Sequence, residues 1–405
     1  MIKKISLILL LFLACGGAAA PKATAIVPKP AESIVVPFEL ITRHILIKVK
    51  INDAGPFWFI FDTGDKVAIV DLDRAKSLGL SLQGEVNISG AGAGTAKGAT
   101  VQGASVSVVG VESNPEPLVL AIPLARLSPR FGHQIDGIIG ADFIKRYAIE
   151  VDYQAKVLRL HDKTKFVYSG PGEILPLTFI NGGFPIINAE VVAEGRQPVK
   201  ARFVLDFGSG GSLALHTPFV EEQKLPTPTQ KTIKVIGVGG AAGKVTGRSG
   251  RISELRIGKV TIDSPLTLFS EDRGGALANT EIQGNIGQMI LAKFKAILDY
   301  SRERIILEPN SSLKDPIAPI SNGLKIMAEG ADYRTFRVDE FLDDSPAAES
   351  GLQAGDIITA VDGKTASELT LTSIHELLEM PSTHKLSVKR GNQEVQINLT
   401  PRKMI

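Results

Sequence analysis

Two aspartates in this chain each end an apolar run and are followed, two positions later, by a glycine. The two triplets are Asp62-Thr63-Gly64 and Asp206-Phe207-Gly208. An aspartate at the end of such a run is costly to bury unless it has dedicated partners. Two carboxylates held ~3 Å apart cannot both ionise and therefore share one proton. Such a pair could activate a water molecule, with one carboxylate taking its proton while the other donates.

The elements that must position the two aspartates occur twice along the chain, in one order. The triplets are 144 residues apart, and two further landmarks recur at an offset of 147 residues. These landmarks are Asp136–Gly140 with Gln283–Gly287, and Val151-Asp152-Tyr153 with Leu298-Asp299-Tyr300. A repeat of this length indicates duplicated structural units. Short Val/Ile-rich runs and 40 glycines favour an all-β dominated protein with two similar lobes, 35–168 and 169–312.

An apolar pair before Asp-Thr-Gly, followed later by Ile-Ile-Gly, resembles the retropepsin-like and pepsin-like aspartic proteases. The matching later segments are Ile138-Ile139-Gly140 and Asn285-Ile286-Gly287. In that family this segment threads behind the catalytic loop. The resemblance covers about 35–312 and implies tandem retropepsin-like lobes in a two-lobed, acid-protease-like β-barrel fold. It also implies that Asp62 and Asp206 are the catalytic pair and that neither a metal ion nor an organic cofactor takes part.

The resemblance assigns the rest of both active-site loops a supporting role: Thr63, Gly64, Phe207, Gly208 and Ser209. The Thr63 hydroxyl would help to lock the two loops together. Two positions depart from the family, since Phe207 stands where a threonine is usual and Asp65 where a small residue is usual. A third carboxylate beside the pair would raise local pKa values or require a cation. A catalytically weak or inactive peptide-binding or scaffold protein on the same fold is therefore a second hypothesis.

Two glycine-rich segments lie where members of this family carry the hairpin flaps that cover the substrate. They are 90–94 in the first lobe and 237–240 in the second. Glycines there would suit a mobile lid that excludes water during the reaction. The alternative is a plain flexible turn.

The C-terminal part resembles the PDZ domains attached to bacterial envelope proteases, through the string from Ser345 to Gly363. The resemblance covers about 320–402 and implies a small α+β PDZ domain. Such a domain binds an extended peptide as an added strand and holds its C-terminal carboxylate with backbone N–H groups. The segment that best matches the carboxylate loop is Gly323-Leu324-Lys325-Ile326. A PDZ domain that only packs on the protease remains an alternative.

The N-terminus indicates export. Lys3 and Lys4 precede an apolar run too short to span a bilayer, which predicts a signal peptide at 1–20. The sequence around Cys15 resembles a bacterial lipobox, with Phe12 as a departure, and implies a lipid anchor on Cys15. Residues 21–34 are predicted to form a tether. We therefore expect a lipoprotein of the bacterial cell envelope, in the periplasm or at the outer membrane. A secreted protein with an incidental Cys15 is the alternative.

Composition and other motifs exclude several classes of function. Lys and Arg number 45 against 43 Asp and Glu, without a basic cluster that would indicate nucleic-acid binding. Cys15 is the single cysteine, so disulfides and thiolate metal sites are excluded, and the six histidines have no metal-ligand spacing. Asp206-Phe207-Gly208 lacks the companion motifs of a kinase. The sequence therefore predicts an aspartic endopeptidase acting on polypeptides, with a PDZ module for substrate or partner peptides.

Overall fold

The computed structural model describes residues 33–112, 118–238, 240, 243–318 and 321–405. Strands dominate, and two strand-rich lobes precede a small C-terminal α+β domain, which confirms the predicted fold class. The predicted signal peptide, Cys15 and nearly all of the predicted tether lie outside the described residues. Among the described residues, no helix is long and apolar enough to cross a membrane.

The first lobe contains twelve strands and three short helices among its described residues. They are β1 (Ile34–Ile41), β2 (His44–Ile51), β3 (Ala54–Phe61), β4 (Ala68–Asp71), α1 (Leu72–Ser77), β5 (Ser81–Ser89), β6 (Thr95–Gln102), β7 (Val106–Val108), β8 (Val111–Glu112), β9 (Val119–Ile122), α2 (Ser128–Phe131), β10 (Gly137–Ile139), α3 (Ala141–Ile144), β11 (Tyr147–Asp152) and β12 (Val157–Asp162).

The second lobe repeats this order with small changes. Its elements are β13 (Glu173–Pro176), β14 (Thr178–Ile180), β15 (Phe184–Val192), β16 (Val199–Leu205), β17 (Leu213–Leu215), α4 (Thr217–Glu222), β18 (Ile233–Val238), β19 (Lys244–Arg251), β20 (Glu254–Ile257), β21 (Val260–Asp263), β22 (Leu266–Ser270), β23 (Gly284–Ile286), α5 (Gln288–Leu291), β24 (Phe294–Asp299) and β25 (Arg304–Pro309). Single 3-10 turns lie at Ala276–Ala278 and Tyr300–Arg302.

The two lobes are joined by a shared sheet. Strand β11 of the first lobe pairs antiparallel with β24 of the second, so that Ile149 lies opposite Leu298. These strands carry the duplicated Asp-Tyr landmarks, and the sheet runs on through β25 on one side and β12 on the other. Five of the six residues of β24 and three of the six of β11 are buried, and none of the others is exposed. One apolar core extends through both lobes.

The C-terminal domain is a six-stranded sheet with two helices and a core of its own. Its elements are β26 (Leu324–Glu329), β27 (Thr335–Phe341), α6 (Pro346–Glu349), β28 (Ile357–Val361), β29 (Lys364–Thr365), a 3-10 turn (Ala366–Glu368), α7 (Leu371–Leu378), β30 (His384–Arg390) and β31 (Gln393–Leu399). Strand β26 forms one edge of the sheet.

Candidate active site

The two aspartates occupy equivalent places, directly after strands β3 and β16. Each of these strands pairs in parallel with a short strand, β10 or β23, formed by the Ile-Ile-Gly-type segments. The ladder reaches the aspartates themselves. The Asp62 amide donates to the Ile139 carbonyl at 3.0 Å, and the Asp206 amide donates to the Ile286 carbonyl at 2.9 Å. Each lobe therefore fixes the backbone of its aspartate in the same way.

The glycine that ends each of these segments packs against an active-site loop. A Cβ on Gly140 would lie 2.8 Å from the Asp65 carbonyl oxygen, and one on Gly287 would lie 2.9 Å from that of Ser209. The amide of the next residue donates to the same carbonyl in both lobes, at 2.8 and 2.9 Å. Because no side chain fits in this space, the motif requires glycine.

The loops bring both carboxylates to one place between the lobes. The Gly64 amide donates to Asp62 Oδ1 at 2.6 Å, and the Gly208 amide donates to Asp206 Oδ1 at 3.1 Å. A Cβ on Gly64 would lie 3.0 Å from Asp62 Oδ1 and 3.3 Å from Asp206 Oδ1. A Cβ on Gly208 would lie 2.0 Å from Asp62 Oδ2. The two glycines therefore make the space that the carboxylates fill, and each carboxylate neighbours the loop of the other lobe.

A single threonine links the two loops. The Thr63 hydroxyl donates to the Leu205 carbonyl at 2.5 Å and accepts from the Phe207 amide at 3.0 Å. Thr63 is fully buried. In place of a second hydroxyl, the Phe207 ring lies edge-on to the Phe61 ring with centroids 6.0 Å apart. The predicted loop contact of Thr63 is present, and an aromatic contact occupies the position where the family usually has the other threonine.

The surroundings of the aspartates favour retention of a proton. Burial raises the pKa of Asp62 well above its ordinary value, and the charges of Asp206 and Asp65 raise it further. Burial also raises the pKa of Asp206, but this shift is opposed by a hydrogen bond from Asn285 and by backbone N–H groups. Two neighbouring carboxylates that resist ionisation are what a shared proton requires.

Asp65 adds a third carboxylate to the site. Burial, followed by the charge of Asp206, raises the pKa of Asp65 to about 7. The sequence-based expectation that this residue perturbs local pKa values agrees with this environment. Within the described residues, no group of three or more His, Cys, Asp and Glu side chains is arranged to hold a metal ion. The charge of Asp65 in turn raises the pKa of Asp62.

Sequence reasoning missed the polar side chains that hold the second loop. Asn285 donates from Nδ2 to Asp206 Oδ2 at 2.9 Å, and its Oδ1 lies 2.8 Å from His216 Nε2. The Gly210 amide donates to His44 Nε2 at 3.1 Å, across the lobe boundary. Burial lowers the pKa of His44 to about 4, so its ring is neutral and can accept this bond. The six histidines are scattered along the sequence, so no spacing pattern distinguishes His44 or His216.

The first glycine-rich segment lies at the turn of a β-hairpin, and Gly237 of the second lies in β18, which pairs with β19. Flap 1 consists of β5, β6 and residues 90–94, and flap 2 consists of β18 and β19. The flaps meet, because Ala93 forms an isolated antiparallel bridge with Lys244. A Cβ on Gly92 would lie 1.9 Å from the Lys244 carbonyl oxygen. Glycine is therefore required at Gly92 by a close contact between two backbones.

The C-terminal domain packs on the first lobe through the edge where a peptide strand would add. Helix α2 of the first lobe packs against β26. A Cβ on Gly132 would lie 2.5 Å from Leu371 Cβ on α7 and 3.4 Å from Ala328 Cβ on β26. The Tyr333 hydroxyl also donates to Gln134 Oε1 at 2.8 Å. The docking segment, residues 128–135, therefore lies against both β26 and α7.

The predicted carboxylate loop makes internal contacts in this arrangement. The Gly323 amide donates to Ser321 Oγ at 3.2 Å, and the Leu324 amide donates to Asn322 Oδ1 at 2.7 Å. Lys325 Nζ donates to the Ile236 carbonyl of flap 2 at 2.8 Å and pairs with Glu340 at the same distance. Ile326 is buried in the core of the domain. Lys325 thus connects the C-terminal domain to a flap.

Comparison with known families identifies both parts of the chain. Residues 47–143 match the model of an aspartyl protease family, and residues 337–390 match the model of a PDZ domain. The first match includes Asp62, and Asp206 lies beyond it. The chain therefore carries an aspartyl protease domain followed by a PDZ domain, which confirms the architecture predicted from the sequence.

Three curated proteins are similar to parts of the chain. Serine protease HTRA1 from Xenopus laevis is 35% identical over 65 residues, 16% of this chain and 14% of that protein. Serine protease HTRA1 from Xenopus tropicalis is 25% identical over 311 residues, which cover 71% of this chain and 65% of that protein. A probable CtpA-like serine protease from Staphylococcus haemolyticus is 25% identical over 133 residues, 32% and 25%. The chain thus spans less than two thirds of each relative, and these similarities support a protease without specifying an aspartic mechanism.

Replacing Thr63 with valine tests the contact between the loops. Thr63→Val keeps the shape of the side chain but leaves the buried Leu205 carbonyl and Phe207 amide without their partner. We expect the free energy of unfolding to fall by about 2–4 kcal/mol. Urea unfolding measures the change, with Thr178→Val on exposed strand β14 as the matched control. Equal losses in both variants would contradict the proposed role of the buried hydroxyl.

The raised pKa of Asp65 predicts that the stability of the folded protein depends on pH. Its pKa is raised from 3.8 to about 7 on folding, so the folded state holds a proton that the unfolded state releases in this range. Stability from this group is present below pH ~4 and is lost as the pH rises through about 7. Relative to the wild type, Asp65→Asn should therefore gain thermal stability between pH 4 and 8. The exposed Asp53→Asn is the control, and a pH-independent difference for Asp65→Asn would refute the shift.

Proposed function

We propose that this chain is an aspartic endopeptidase in which Asp62 and Asp206 activate water against a peptide bond. The observation that supports it most directly is the convergence of both carboxylates on Gly64 and Gly208, from loops of two different lobes. A structural role for either aspartate alone would not require its carboxylate to lie beside the other. Burial of two adjacent carboxylates is unfavourable unless they share a proton.

The proposed reaction conserves atoms and charge. One carboxylate takes a proton from water as the water oxygen bonds to the scissile carbonyl carbon, and the other carboxyl gives its proton to the carbonyl oxygen. The resulting tetrahedral diol returns a proton to the pair as the carbon–nitrogen bond breaks. The nitrogen takes a proton from the pair, and the products are a carboxylic acid and an amine. The chain needs no further reactant than water and polypeptide for this cycle.

The flaps suit a polypeptide substrate. An extended chain could lie between the flaps and the aspartates, where strand edges offer N–H and C=O groups along its length. In this proposal the bridge between Ala93 and Lys244 closes the substrate space on the flap side. Entry of a substrate therefore requires the flap tips to separate, which is a motion typical of lids that exclude water.

The PDZ domain is placed to influence that motion. The contact between Lys325 and the Ile236 carbonyl connects the domain to flap 2. A peptide that added to β26 would compete with the docking segment for the same edge. We propose that the PDZ domain binds peptide or protein C-termini and thereby regulates or delivers substrate. The N-terminal sequence leads us to propose further that the protein acts in the bacterial cell envelope, anchored to the membrane through lipid on Cys15.

A serine mechanism is the second candidate, because the similar proteins are named serine proteases. Among the described residues, Asp362 Oδ2, His384 and Ser382 Oγ form a chain of contacts of 2.7 and 3.2 Å. His384 Nε2 lies equally close to the Met380 carbonyl, at 3.2 Å. A carbonyl can only accept, so an Nε2–H that donates to it cannot take a proton from serine. The contact is therefore explained as support for a turn of the PDZ domain.

An inactive peptide-binding scaffold is the other candidate. It is favoured by the replacement of the second loop threonine with Phe207 and by the additional charge of Asp65. The buried contact of Phe207 with Phe61 preserves the packing of the loops without the hydroxyl. Peptide binding without cleavage at any pH would support the scaffold and exclude the enzyme.

Asparagine at either aspartate distinguishes these candidates. Because both mechanistic steps need a titratable carboxyl, Asp62→Asn and Asp206→Asn should each lower cleavage of an unfolded casein-like substrate at least about a hundredfold. Wild-type cleavage should be inhibited by a statine-type transition-state analogue. Ser382→Ala should keep full activity, and circular dichroism verifies folding. Wild-type turnover in either asparagine variant would eliminate the aspartic mechanism, and loss in Ser382→Ala would favour the serine candidate.

Removing the Lys325 amino group tests the link between the PDZ domain and flap 2. Lys325→Ala should increase hydrogen exchange in the segment 233–238 by about threefold, because one partly exposed charged contact stabilises by less than ~1 kcal/mol. Exchange measured by mass spectrometry reports this change, with exposed Lys385→Ala as the control. Unchanged exchange in Lys325→Ala would show that the contact does not restrain the flap.

A further inference from the structure

One difference between the two halves of the candidate active site lies directly behind the aspartates. Strand β10 places Ile138 in the segment behind Asp62, whereas β23 places Asn285 at the equivalent position behind Asp206. Asn285 Nδ2 donates to Asp206 Oδ2 at 2.9 Å. Isoleucine offers no such donor to Asp62. The duplication therefore brings together two similar carboxylates in unequal surroundings.

His216 contacts the oxygen end of the Asn285 amide. His216 Nε2 lies 2.8 Å from Asn285 Oδ1, and the ring is buried at the start of α4. Burial lowers the pKa of His216, which favours the neutral form of the ring. With a proton on Nε2, the ring donates to Oδ1 and the amide must turn its NH₂ group toward Asp206. A donor at this place favours the carboxylate over the neutral acid.

We propose that Asn285, held by His216, is a positioning residue that keeps Asp206 as the ionised, water-activating member of the pair. Asp62 is then the protonated member, and its carboxyl proton forms a hydrogen bond to the carbonyl oxygen of the substrate. This assignment rests on the proposed peptidase activity and adds the direction of proton flow. Water gives its proton to Asp206, and the proton that reaches the carbonyl oxygen comes from Asp62.

Among the other titratable groups around the pair, Asp65 acts in the same direction through its charge, but none supplies a hydrogen bond to Asp206. Asp65, on the Asp62 loop, raises the pKa of Asp62, and its own pKa responds to Asp206. Tyr300, after β24, is buried, and the charge of Asp62 raises the pKa of its hydroxyl. His44 is neutral and accepts from the Gly210 amide. Asp65, Tyr300 and His44 donate no hydrogen bond to Asp206, whereas Asn285 does.

The test compares the pH dependence of cleavage in variants of this pair. Asn285→Ile copies the first-lobe residue, so the acid limb of kcat/KM should move upward by about one pH unit. His216→Leu should move it in the same direction. His216→Gln should keep the acid limb at its wild-type pH, since the glutamine amide can donate to Asn285 Oδ1 in place of Nε2. Asn188→Ile on the exposed face of β15 is the control.

A second measurement is independent of turnover. Carboxyl resonances of ¹³C-labelled aspartate, assigned with Asp206→Asn, should show Asp206 titrating at higher pH in Asn285→Ile than in the wild type. Lower activity with an unmoved acid limb, or an unchanged Asp206 titration, would overturn the role of Asn285. If the wild type cleaves no substrate, the proposed function fails, and the carboxyl titration still decides whether Asn285 favours ionised Asp206.

Discussion

Two carboxylates in contact cannot both carry a charge, and the architecture around Asp62 and Asp206 serves this constraint. Bringing the two acids together requires two loops of matching shape that approach from opposite sides. Each loop must carry glycine where a Cβ would collide with a carboxylate. The duplicated lobes supply the loops, and the shared sheet through β11 and β24 sets their separation. Gly64 and Gly208 give the space, and Gly140 and Gly287 support the loops from behind. The rest of the protease domain follows from holding these carboxylates together.

The symmetry of the duplication is broken close to the acids. The Thr63 hydroxyl has Phe207 as its counterpart, and Ile138 has Asn285. Behind the loops, the Tyr153 hydroxyl donates to Gln288, whose amide holds the Phe207 carbonyl at 2.6 Å. Polar side chains therefore surround the second loop, while the first is held by the Thr63 hydroxyl and by backbone amides such as that of Ala141. A reaction with one acid and one base benefits from unequal surroundings, since equal ones would leave the proton without a preferred place.

The PDZ domain adds a constraint from outside the lobes. Its β26 edge lies against the docking segment, and its Lys325 holds a carbonyl of flap 2. An Arg43–Glu379 ion pair at 2.5 Å joins the same domain to the first lobe beside His44, which supports the Gly210 amide. The domain is thus in contact with both the turn that precedes His44 and flap 2. A change in the docking of the PDZ domain would therefore alter contacts both near His44 and at flap 2.

The sequence alone determined the local parts. Apolar runs ending in Asp-x-Gly specify a buried strand and a tight loop, and their repetition at one spacing specifies two lobes. The PDZ string is equally local, since a helix, a turn and a strand follow within 20 residues. These features depend on side-chain periodicity and on glycine, which neighbouring residues define.

The tertiary structure decided the contacts between distant segments. Asn285 and His216 are 69 residues apart, and His44 and Gly210 are 166 residues apart. No sequence pattern links the two members of either pair. Lys325 matched a peptide-binding loop by sequence, but the packing of the domains directs its amino group to a flap. Such contacts depend on how whole sheets are placed against each other, which no local pattern specifies. The local sequence therefore determines which loops carry the aspartates and the glycines. The packing of the sheets determines which side chains contact those loops.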